Sequence, residues 1–387
     1  MTSLEDPSWL DPAVLSARAR AWGATMAGHL AADMAIHTAH VNSHAGLQLD
    51  RPALREEREE RESQLLATGA TRAVGAGERS IDEHPDPVRT CFERDRDRIL
   101  HSSAFRRLAG KTQVFVYPGD HQRTRLTHAI EVAQVARSIA VACRANVALT
   151  EAIALGHDCG HGPFGHASED ALSPFLDTGF DHAQWGADVT LVPINLCLQT
   201  LDGIRNHSWS RPAPATAEGE IVSWADRIAY VCHDFEDALQ AGIVSADALP
   251  EIVRERCGSS RSAQLNTFVR SCVEATTATG RVSATADVAE ALAAFRRFNY
   301  EHIYMRDASR RQAEVVHSLL RALTEFYIEH PGLLPAPAGS PAVAEPGSTA
   351  AAHAAVRYVG GMTDRYVLDR AATHLGWDRS SLPSDLV

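Results

Sequence analysis

Residues 150–166 read TEAIALGHDCGHGPFGH, and this stretch decides the kind of fold that the chain adopts. Its first half predicts a helix that starts at Thr150 and buries apolar residues up to Leu155. Its second half brings glycines and a proline directly after His157 and Asp158, and these residues end the helix. Adjacent helical residues point in different directions, so both can reach one ligand only where a helix terminates. The stretch therefore predicts a helix that ends on a polar site.

Helical periodicity also dominates the rest of the chain. Apolar residues recur at three- and four-residue steps over 126–140, 220–239, 288–297 and 311–330. The alternation that is typical of strands is scarce. These patterns predict a mostly α fold with few or no strands.

Composition shifts suggest four segments. Residues 1–50 are rich in alanine and predict a helical or flexible extension whose four histidines lie on the surface, and residues 51–330 form the main domain. Residues 331–350 are dense in Pro, Ala and Gly and predict a mobile loop. Residues 351–387 are expected to form a helical segment that packs on the core.

The bulk properties narrow the functional class. The chain has 387 residues, of which 45% are hydrophobic and 22% charged, and this is ordinary globular composition. A net charge of -12 argues against a dedicated duplex-binding protein. Seven dispersed cysteines without a C-x-x-C pair indicate reduced thiols. No signal peptide or membrane-length apolar run is evident, so we expect a cytoplasmic protein without a membrane partner.

A basic island interrupts this acidic chain between residues 89 and 125. Besides its two terminal arginines it contains Arg94, Arg96, Arg98, Arg106, Arg107, Lys111 and Arg123. Such an island suits a small polyanion held in a pocket. A solvated helix face is the alternative interpretation, and the sequence leaves both open.

Four side chains are candidate metal ligands, namely His128, His157, Asp158 and Asp226. Two imidazoles and two carboxylates from separate helices can surround one divalent cation and leave coordination positions open for water and a phosphate oxygen. This ligand set admits Mn, Mg, Fe, Co or Zn. Arg125 precedes His128 by three residues and shares its helix face, although His128 alone would be interpreted as a satisfied histidine.

The glycine-rich loop after Asp158 carries His161 and His166, and Glu169 follows His166 by three residues. A histidine that is held by a carboxylate and faces a scissile phosphate is a natural general acid or base. The spacing of His157 and His161 resembles that of a zinc-protease helix. That interpretation is rejected because the second residue is Asp158 and glycines break the helix.

On a third helix, Asp226, Tyr230 and Asp234 recur at four-residue steps, and Arg227 flanks them. A polar stripe on an otherwise buried helix is costly unless a ligand binds there. Arg227 and Tyr230 would then reach phosphate oxygens. Asp234 lies two turns, about 12 Å, further along the axis, where a sugar would lie. A solvated face with ordinary ion pairs is the alternative.

Taken in order, five stretches resemble one known family. They are RDRDRILHSSAFRRL (94–108), TRLTH (124–128), HDCGHGPFGH (157–166), ADRIAY (225–230) and YVGGMTDR (358–365). The chain resembles the HD-domain deoxynucleoside triphosphate (dNTP) triphosphohydrolases, the dGTPase-like branch of the HD phosphohydrolases, over most of residues 52–370. The resemblance implies an HD-domain helical bundle with additional helices.

The resemblance also implies a reaction, the hydrolysis of dGTP or several dNTPs to deoxynucleoside and inorganic triphosphate. His128, His157, Asp158 and Asp226 would hold one divalent ion per site, with an additional Mg²⁺ accompanying the nucleotide. Members of the family form homo-oligomers, often hexamers or tetramers, and some respond to nucleotide effectors. These properties are expectations for this chain.

The same resemblance implies roles for individual residues. His166, steered by Glu169, would be the catalytic histidine, with His161 and His182 beside it. The residues expected to bind substrate are Arg125, Arg227 and Tyr230 at the phosphates, and Asp234 and Gln113 at the sugar. The chain departs from the family pattern at Cys159, Gly162 and Ala183, and the last departure bears on the role of its neighbour His182.

Two other functions compete with this assignment. One is a different HD phosphohydrolase activity, on a nucleoside monophosphate or a signalling nucleotide such as a guanosine tetraphosphate. The other is a nucleotide sensor or weak binder of single-stranded nucleic acid, whose binding would depend steeply on salt. The arginine-rich block and residues 360–365 favour the triphosphohydrolase branch, and retention of every ligand argues against lost catalysis.

Overall fold

The computed structural model describes residues 16–30, 36–44, 46–114, 122–335 and 344–378. The chain divides into two units, Met1–Pro52 and Ala53–Val387. The first unit contains helix α1 (Ala17–Ala24) and an antiparallel pair of two-residue strands, β1 (His29–Leu30) and β2 (His37–Thr38). These are the only strands in the part of the chain that the structure describes.

The second unit is helical. Its helices are α2 (Arg55–Leu65), α3 (Cys91–His101), α4 (Ser103–Arg107), α5 (Arg125–Cys143), α6 (Val147–Gly156), α7 (His166–Leu172), α8 (His182–Trp185), α9 (Leu198–Asn206), α10 (Ala217–Gln240), α11 (Glu251–Cys257), α12 (Arg261–Thr279), α13 (Ala286–Asn299), α14 (Asp307–Glu329), α15 (Thr349–Gly360) and α16 (Asp364–Leu375). The predicted mostly α fold is confirmed. No helix in the described ranges is both long and apolar enough to cross a membrane.

Helix α6 begins earlier than the sequence pattern predicts. The predicted start at Thr150 is wrong, because the side chain of Asn146 accepts a hydrogen bond from the Leu149 amide and caps a helix that begins at Val147, three residues earlier. Asn146 is itself fixed, since its backbone amide donates to the buried carboxylate of Glu218 at 2.8 Å. Side-chain capping of this kind satisfies amides that the first turn leaves without partners.

The core positions three helices around one point. Helix α6 packs against both α5 and α10, and its residues from Ala152 to Ala154 are fully buried between them. A helix that is apolar on all sides must be enclosed by neighbours. Enclosure therefore fixes where the C-terminal end of α6 points, and that end is His157.

A second hydrophobic cluster joins the C-terminal helices to the region after the glycine-rich loop. Leu172 on α7 packs in one cluster with Leu320 on α14, Val356 on α15 and Val367 on α16. The loop predicted at 331–350 starts with a 3₁₀ turn at Pro331–Leu333 and lies partly outside the described residues. All seven cysteines are free thiols.

Candidate active site

The four predicted metal ligands converge where α5, α6 and α10 meet. His128 Nε2 lies 3.0 Å from Asp226 Oδ1. His157 Nε2 lies 3.3 Å from Asp158 Oδ1 and 3.7 Å from Asp226 Oδ1. His128, His157 and Asp158 are buried, with exposures of 2%, 0% and 3%. Helix α5, the end of α6 and helix α10 thus bring the candidates into two groups that share His157, one with His128 and Asp226 and one with Asp158 and His207.

The protonation pattern of this cluster fits a divalent cation. His157 Nδ1 lies 2.6 Å from the Ala154 carbonyl, which can only accept, so Nδ1 carries a hydrogen and Nε2 is the nitrogen left to face the carboxylates. That nitrogen is buried without a hydrogen-bond partner, and it faces carboxylate oxygens. Burial raises the pKa of Asp158, but His157 and Arg125 outweigh it and hold that pKa well below its usual range. A lone pair that faces ionised carboxylates is repulsive unless a cation lies between them.

The glycine-rich turn is built on a strained backbone. Phe164 and Gly165 both have left-handed φ angles, of 61° and 63°. A side chain at Gly165 would place Cβ 2.3 Å from Nη2 of Arg125, so only glycine fits there. A non-glycine residue such as Phe164 adopts this conformation only when surrounding structure holds it.

Asp364, the first residue of α16, provides that restraint. Its carboxylate accepts hydrogen bonds from the Phe164 amide at 2.7 Å, the Thr112 amide at 2.8 Å and the Thr112 hydroxyl at 2.6 Å. Nearby, the buried Lys111 donates to the carbonyls of His161 and Gly360. Burial, with the charge of Arg107 second, lowers the Lys111 pKa to about 7. The C-terminal segment therefore holds the turn that leads into the catalytic candidates.

Glu169 lies near His166, as predicted, with ligand atoms within 4.8 Å, but its hydrogen bond goes to His182. Glu169 Oε1 lies 2.5 Å from Nδ1 of His182 and 3.7 Å from Nδ1 of His161. The reason is helix α8, whose cap residue Asp181 accepts from the Ala183 and Gln184 amides and turns His182 toward α7. His161 and His182 stack, with ring centroids 3.7 Å apart. Ala183, where the chain departs from the family pattern, is fully buried next to His182.

A cavity of about 490 Å³ opens beside the cluster, a size that suits a nucleotide. The predicted site residues that line it are Gln113, Arg125, His128, Asp158, His161, His166, His182, Asp226, Arg227, Tyr230 and Asp234. His157 and Glu169 do not line the cavity. They contact residues that do, His157 at Asp226 and Glu169 at His182. Almost the whole predicted set therefore faces one space.

Arg125 is the basic side chain best placed to hold an anion. It is 1% exposed, and its Nη1 donates to Asp158 Oδ2 at 2.8 Å. Its Nε and Nη2 atoms are buried without partners. Across the cavity the guanidinium of Arg227 lies 3.5 Å from the ring centroid of Trp209, and Tyr230 accepts a hydrogen bond from Arg296 at 2.9 Å. Unpaired guanidinium N–H groups in a cavity wall fit phosphate oxygens.

The two residues predicted to contact the sugar differ in the hydrogen bonds that their oxygens already accept. Both oxygens of Asp234 are already used, since Oδ1 accepts from Arg123 and Oδ2 accepts from the hydroxyl of Tyr304. Asp234 lines the cavity, and its contact with a sugar stays a prediction, although Arg123, which the sequence pattern did not connect to it, already pairs with it. Gln113 has a buried Oε1 without a partner and keeps its hydrogen-bonding capacity.

The basic island does not form the pocket. Arg94 and Arg98 both pair with Glu83, and Arg89 pairs with Asp86. Among the described residues that line the cavity, Arg125 is the basic one that this segment contributes. Arg125 thus agrees with the pocket interpretation, whereas acidic residues pair with Arg89, Arg94 and Arg98, which stay partly exposed.

Sequence reasoning missed His207, which follows α9. Its Nδ1 lies 2.8 Å from the Ile204 carbonyl, and its Nε2 lies 3.3 Å from Nε2 of His182. Its ring centroid is 4.9 Å from that of His157. A signal for His207 was present in the sequence, namely its place at the end of a helix. His157 also ends a helix, and each histidine bonds the carbonyl three residues before it. Trp209, Arg296 and Tyr304, which also line the cavity, were missed as well.

Comparison with known proteins agrees with this geometry. Residues 125–231 match the HD domain, and residues 282–373 match the phosphohydrolase-associated domain. The first match spans α5, α6 and most of α10, which carry the four candidate ligands. The second spans the C-terminal helices that restrain the glycine-rich turn.

Several curated proteins are similar along most of their length. A deoxyguanosinetriphosphate triphosphohydrolase-like protein of Caldanaerobacter subterraneus subsp. tengcongensis is 39% identical over 322 residues, which cover 81% of this chain and 94% of that protein. One of Clostridium perfringens is 43% identical and covers 65% of this chain and 78% of its own length. One of Deinococcus radiodurans is 35% identical, with coverages of 82% and 98%. The chain therefore belongs to the deoxyguanosinetriphosphate triphosphohydrolase-like family of HD-domain phosphohydrolases.

Proposed function

We propose that this phosphohydrolase is a metal-dependent dNTP triphosphohydrolase, which cleaves a dNTP to deoxynucleoside and inorganic triphosphate. One observation carries the proposal. The ligand cluster of His128, Asp158 and Asp226 opens on the same cavity as Arg125, whose unpaired Nε and Nη2 nitrogens are suited to a phosphate chain. The names of the curated relatives point to the same substrate class.

The metal would be held by His128, His157, Asp158 and Asp226. When bound, a divalent ion supplies Lewis-acid polarisation of a phosphoryl oxygen and lowers the pKa of a bound water. The mixed imidazole and carboxylate ligands suit Mn, Fe, Co or Zn, and Mg²⁺ would accompany the nucleotide. Asp226 is ready for this role at neutral pH, because the interaction with His128 overcomes burial and lowers its pKa.

The phosphate chain would be held by protein cations. Arg125 can donate from Nε and Nη2 while Nη1 stays on Asp158, so one guanidinium connects the ligand cluster to the substrate. Arg227 is fixed over the Trp209 ring and would meet the chain from the opposite wall with Tyr230. Prearranged donors in a cavity stabilise the charge that develops during phosphoryl transfer without reorganising.

His166 would transfer the proton. Its ring is exposed to the cavity but lies deep within it, and this enclosure, followed by the charge of Arg125, lowers its pKa to about 4. A neutral imidazole can accept the proton of the water that attacks the α-phosphorus. As the bond from phosphorus to the nucleoside O5′ breaks, the same imidazolium returns that proton to O5′.

The test separates the reaction classes by product. Chelator-treated protein is incubated with each dNTP plus Mg²⁺, Mn²⁺, Fe²⁺, Co²⁺ or Zn²⁺, and products are resolved by ³¹P NMR and chromatography. We expect deoxynucleoside and triphosphate, and loss of turnover in Asp226→Asn. Asp188→Asn, a surface carboxylate paired with Arg205, is the matched control and should keep turnover. Release of pyrophosphate and a dNMP would contradict the proposal.

Homo-oligomer formation and response to a nucleotide effector stay predictions of the family resemblance. Light scattering after size-exclusion chromatography, with and without dGTP, measures both. A hexamer or tetramer is expected, and a monomer under both conditions would argue against them.

A further inference from the structure

Lys111 is the only lysine of this chain, although lysine and arginine together number 37 among its 387 residues. It is also buried, with an exposure of 3%. Lysine is almost never buried unless its ammonium is paired, because burial disfavours the charge. The chain therefore places an amine at this one interior position and uses arginine as its strong base everywhere else.

The partners of Lys111 belong to three different elements. Its Nζ donates to the carbonyl of His161 in the glycine-rich loop and to the carbonyl of Gly360 at 3.0 Å. Gly360 is the last residue of α15, where a helix leaves its carbonyls without intrahelical partners and favours a cation. The backbone carbonyl of Lys111 accepts a hydrogen bond from the amide of Arg125, the first residue of α5, at 3.2 Å. One residue thus joins the loop to α5 and to α15.

The contact with His161 bears on a candidate metal ligand. Nε2 of His161 lies 3.2 Å from Asp158 Oδ1, and the ring stacks on that of His182 with centroids 3.7 Å apart. A side chain starts from its own backbone, so a shift of the His161 carbonyl moves the ring as well. Lys111 does not line the cavity, and it reaches Asp158 only through His161.

An arginine is poorly suited to this position. Nζ is a single atom that meets two carbonyls, whereas a planar guanidinium carries five N–H groups, all of which would need buried acceptors. Burial, followed by the charge of Arg107, lowers the pKa of Lys111 to about 7, and Arg125 acts in the same direction. An amine that loses its proton keeps two N–H groups, one for each carbonyl, and arginine cannot lose its proton.

We propose that Lys111 is a positioning residue of the active site. It holds the His161 backbone, so that the His161 ring keeps its contacts with Asp158 and His182. The role deepens the proposed function and rests on it, because Asp158 is one of the proposed ligands of the cation. Lys111 touches no substrate, and its loss should therefore lower kcat and leave KM unchanged.

Lys111→Met tests the role, because methionine fills the space of the lysine stem and has no N–H donor in its side chain. Turnover of dNTP gives kcat and KM, and calorimetric titration with Mn²⁺ gives the Kd of the ion. We expect kcat to fall about 10- to 100-fold, with KM changed less than about 2-fold. The Kd should rise about 10-fold, because a displaced His161 misplaces Asp158.

Arg79→Met is the matched control. Arg79 is also a buried cation that donates to two main-chain carbonyls, those of Asn195 and Cys91, and these residues lie outside the candidate site. Both variants should lose stability, which urea titration measures. Only Lys111→Met should lose kcat and Mn²⁺ affinity at a temperature where both are folded. Lys111→Arg keeps the charge, should show the same two losses, and decides the question where Lys111→Met does not fold.

The outcomes distinguish this role from the proposed function. The kcat and Kd of the wild type in folded Lys111→Met or Lys111→Arg, or equal losses of both in Arg79→Met, would overturn the positioning role and leave the proposed function intact. A KM that rises as far as kcat falls would overturn it as well. A wild type that cleaves no dNTP but binds Mn²⁺ more tightly than Lys111→Met would refute the proposed function alone. A wild type that neither binds Mn²⁺ nor cleaves dNTP would refute both.

Discussion

Gly160→Ala adds one methyl group at the point where the glycine-rich loop touches helix α8. The added Cβ would lie 2.0 Å from the His182 carbonyl oxygen and 2.4 Å from the Gly186 nitrogen. Carbon contacts are comfortable only at about 3.5–4.0 Å. Gly160 has no left-handed backbone angle, so the effect is purely steric. Backbone atoms cannot rotate aside, and α8 must therefore move with His182.

The magnitude follows from that geometry. Adding a methyl group to a packed interior costs about 1–3 kcal/mol, and rigid backbone neighbours place this substitution at about 3 kcal/mol. A chain of this length loses about 1.2 °C in Tm per kcal/mol, so we expect a decrease of roughly 4 °C. Displacing His182 by about 1 Å should also lower kcat by about 10- to 100-fold at temperatures where the variant is folded.

Differential scanning calorimetry and dNTP turnover measure the two effects. Gly332→Ala is the control, because its added Cβ meets no atom within 4 Å and its backbone angle is not left-handed. The control should match the wild type in both assays. The reasoning is refuted if Gly160→Ala shows the Tm and the turnover of the control.

Three further substitutions test other parts of the structure. Asp364→Asn should lower the free energy of unfolding by about 2–3 kcal/mol and reduce turnover, because hydrogen bonds to a charged group are lost at the strained turn; urea titration and product release measure this. Arg79→Met should cost about 3–5 kcal/mol in urea, since it leaves the fully buried Asp95 without the cation that lies 2.6 Å away. His233→Gln should change the pH dependence of stability. Burial, then Arg123, lowers the His233 pKa to about 4, so the unfolded chain binds a proton first as pH falls below about 6.5. The free energy of unfolding of the wild type should therefore fall by about 2 kcal/mol between pH 6.5 and 5, and the variant should not show this decrease.

Each of these has a matched control. Asp287→Asn places the same change on an exposed helix start and should keep the urea midpoint of the wild type. Arg256→Met removes an exposed partner of Glu290 and should cost less than about 1 kcal/mol. His317→Gln makes the same change at a half-buried histidine on helix α14 and controls for the substitution itself. Equal losses in a variant and its control, or parallel pH profiles for His233→Gln and the wild type, would count against the corresponding argument.

The metal-ligand candidates were predictable because local rules fix them. Glycines and a proline end helix α6, so the residues at its end are free to face a ligand. His157 and Asp158 are those residues. The partner of Glu169 was not predictable in this way. His166 is three residues away and His182 thirteen, and only the turn of α8 brings the more distant imidazole to 2.5 Å. Spacing along one helix says nothing about which side chain arrives from another.

The amino-acid sequence by itself determined the helical class, the order of the motifs and the four ligand candidates, since periodicity and chain termination act over a few residues. Tertiary packing alone decided that Arg123 neutralises Asp234, that Asp364 restrains Phe164 and that His207 meets His182. These contacts join residues that are 25 to 200 positions apart. Such pairs form only when whole helices dock, because their energy comes from burial and charge in the assembled interior rather than from any local preference.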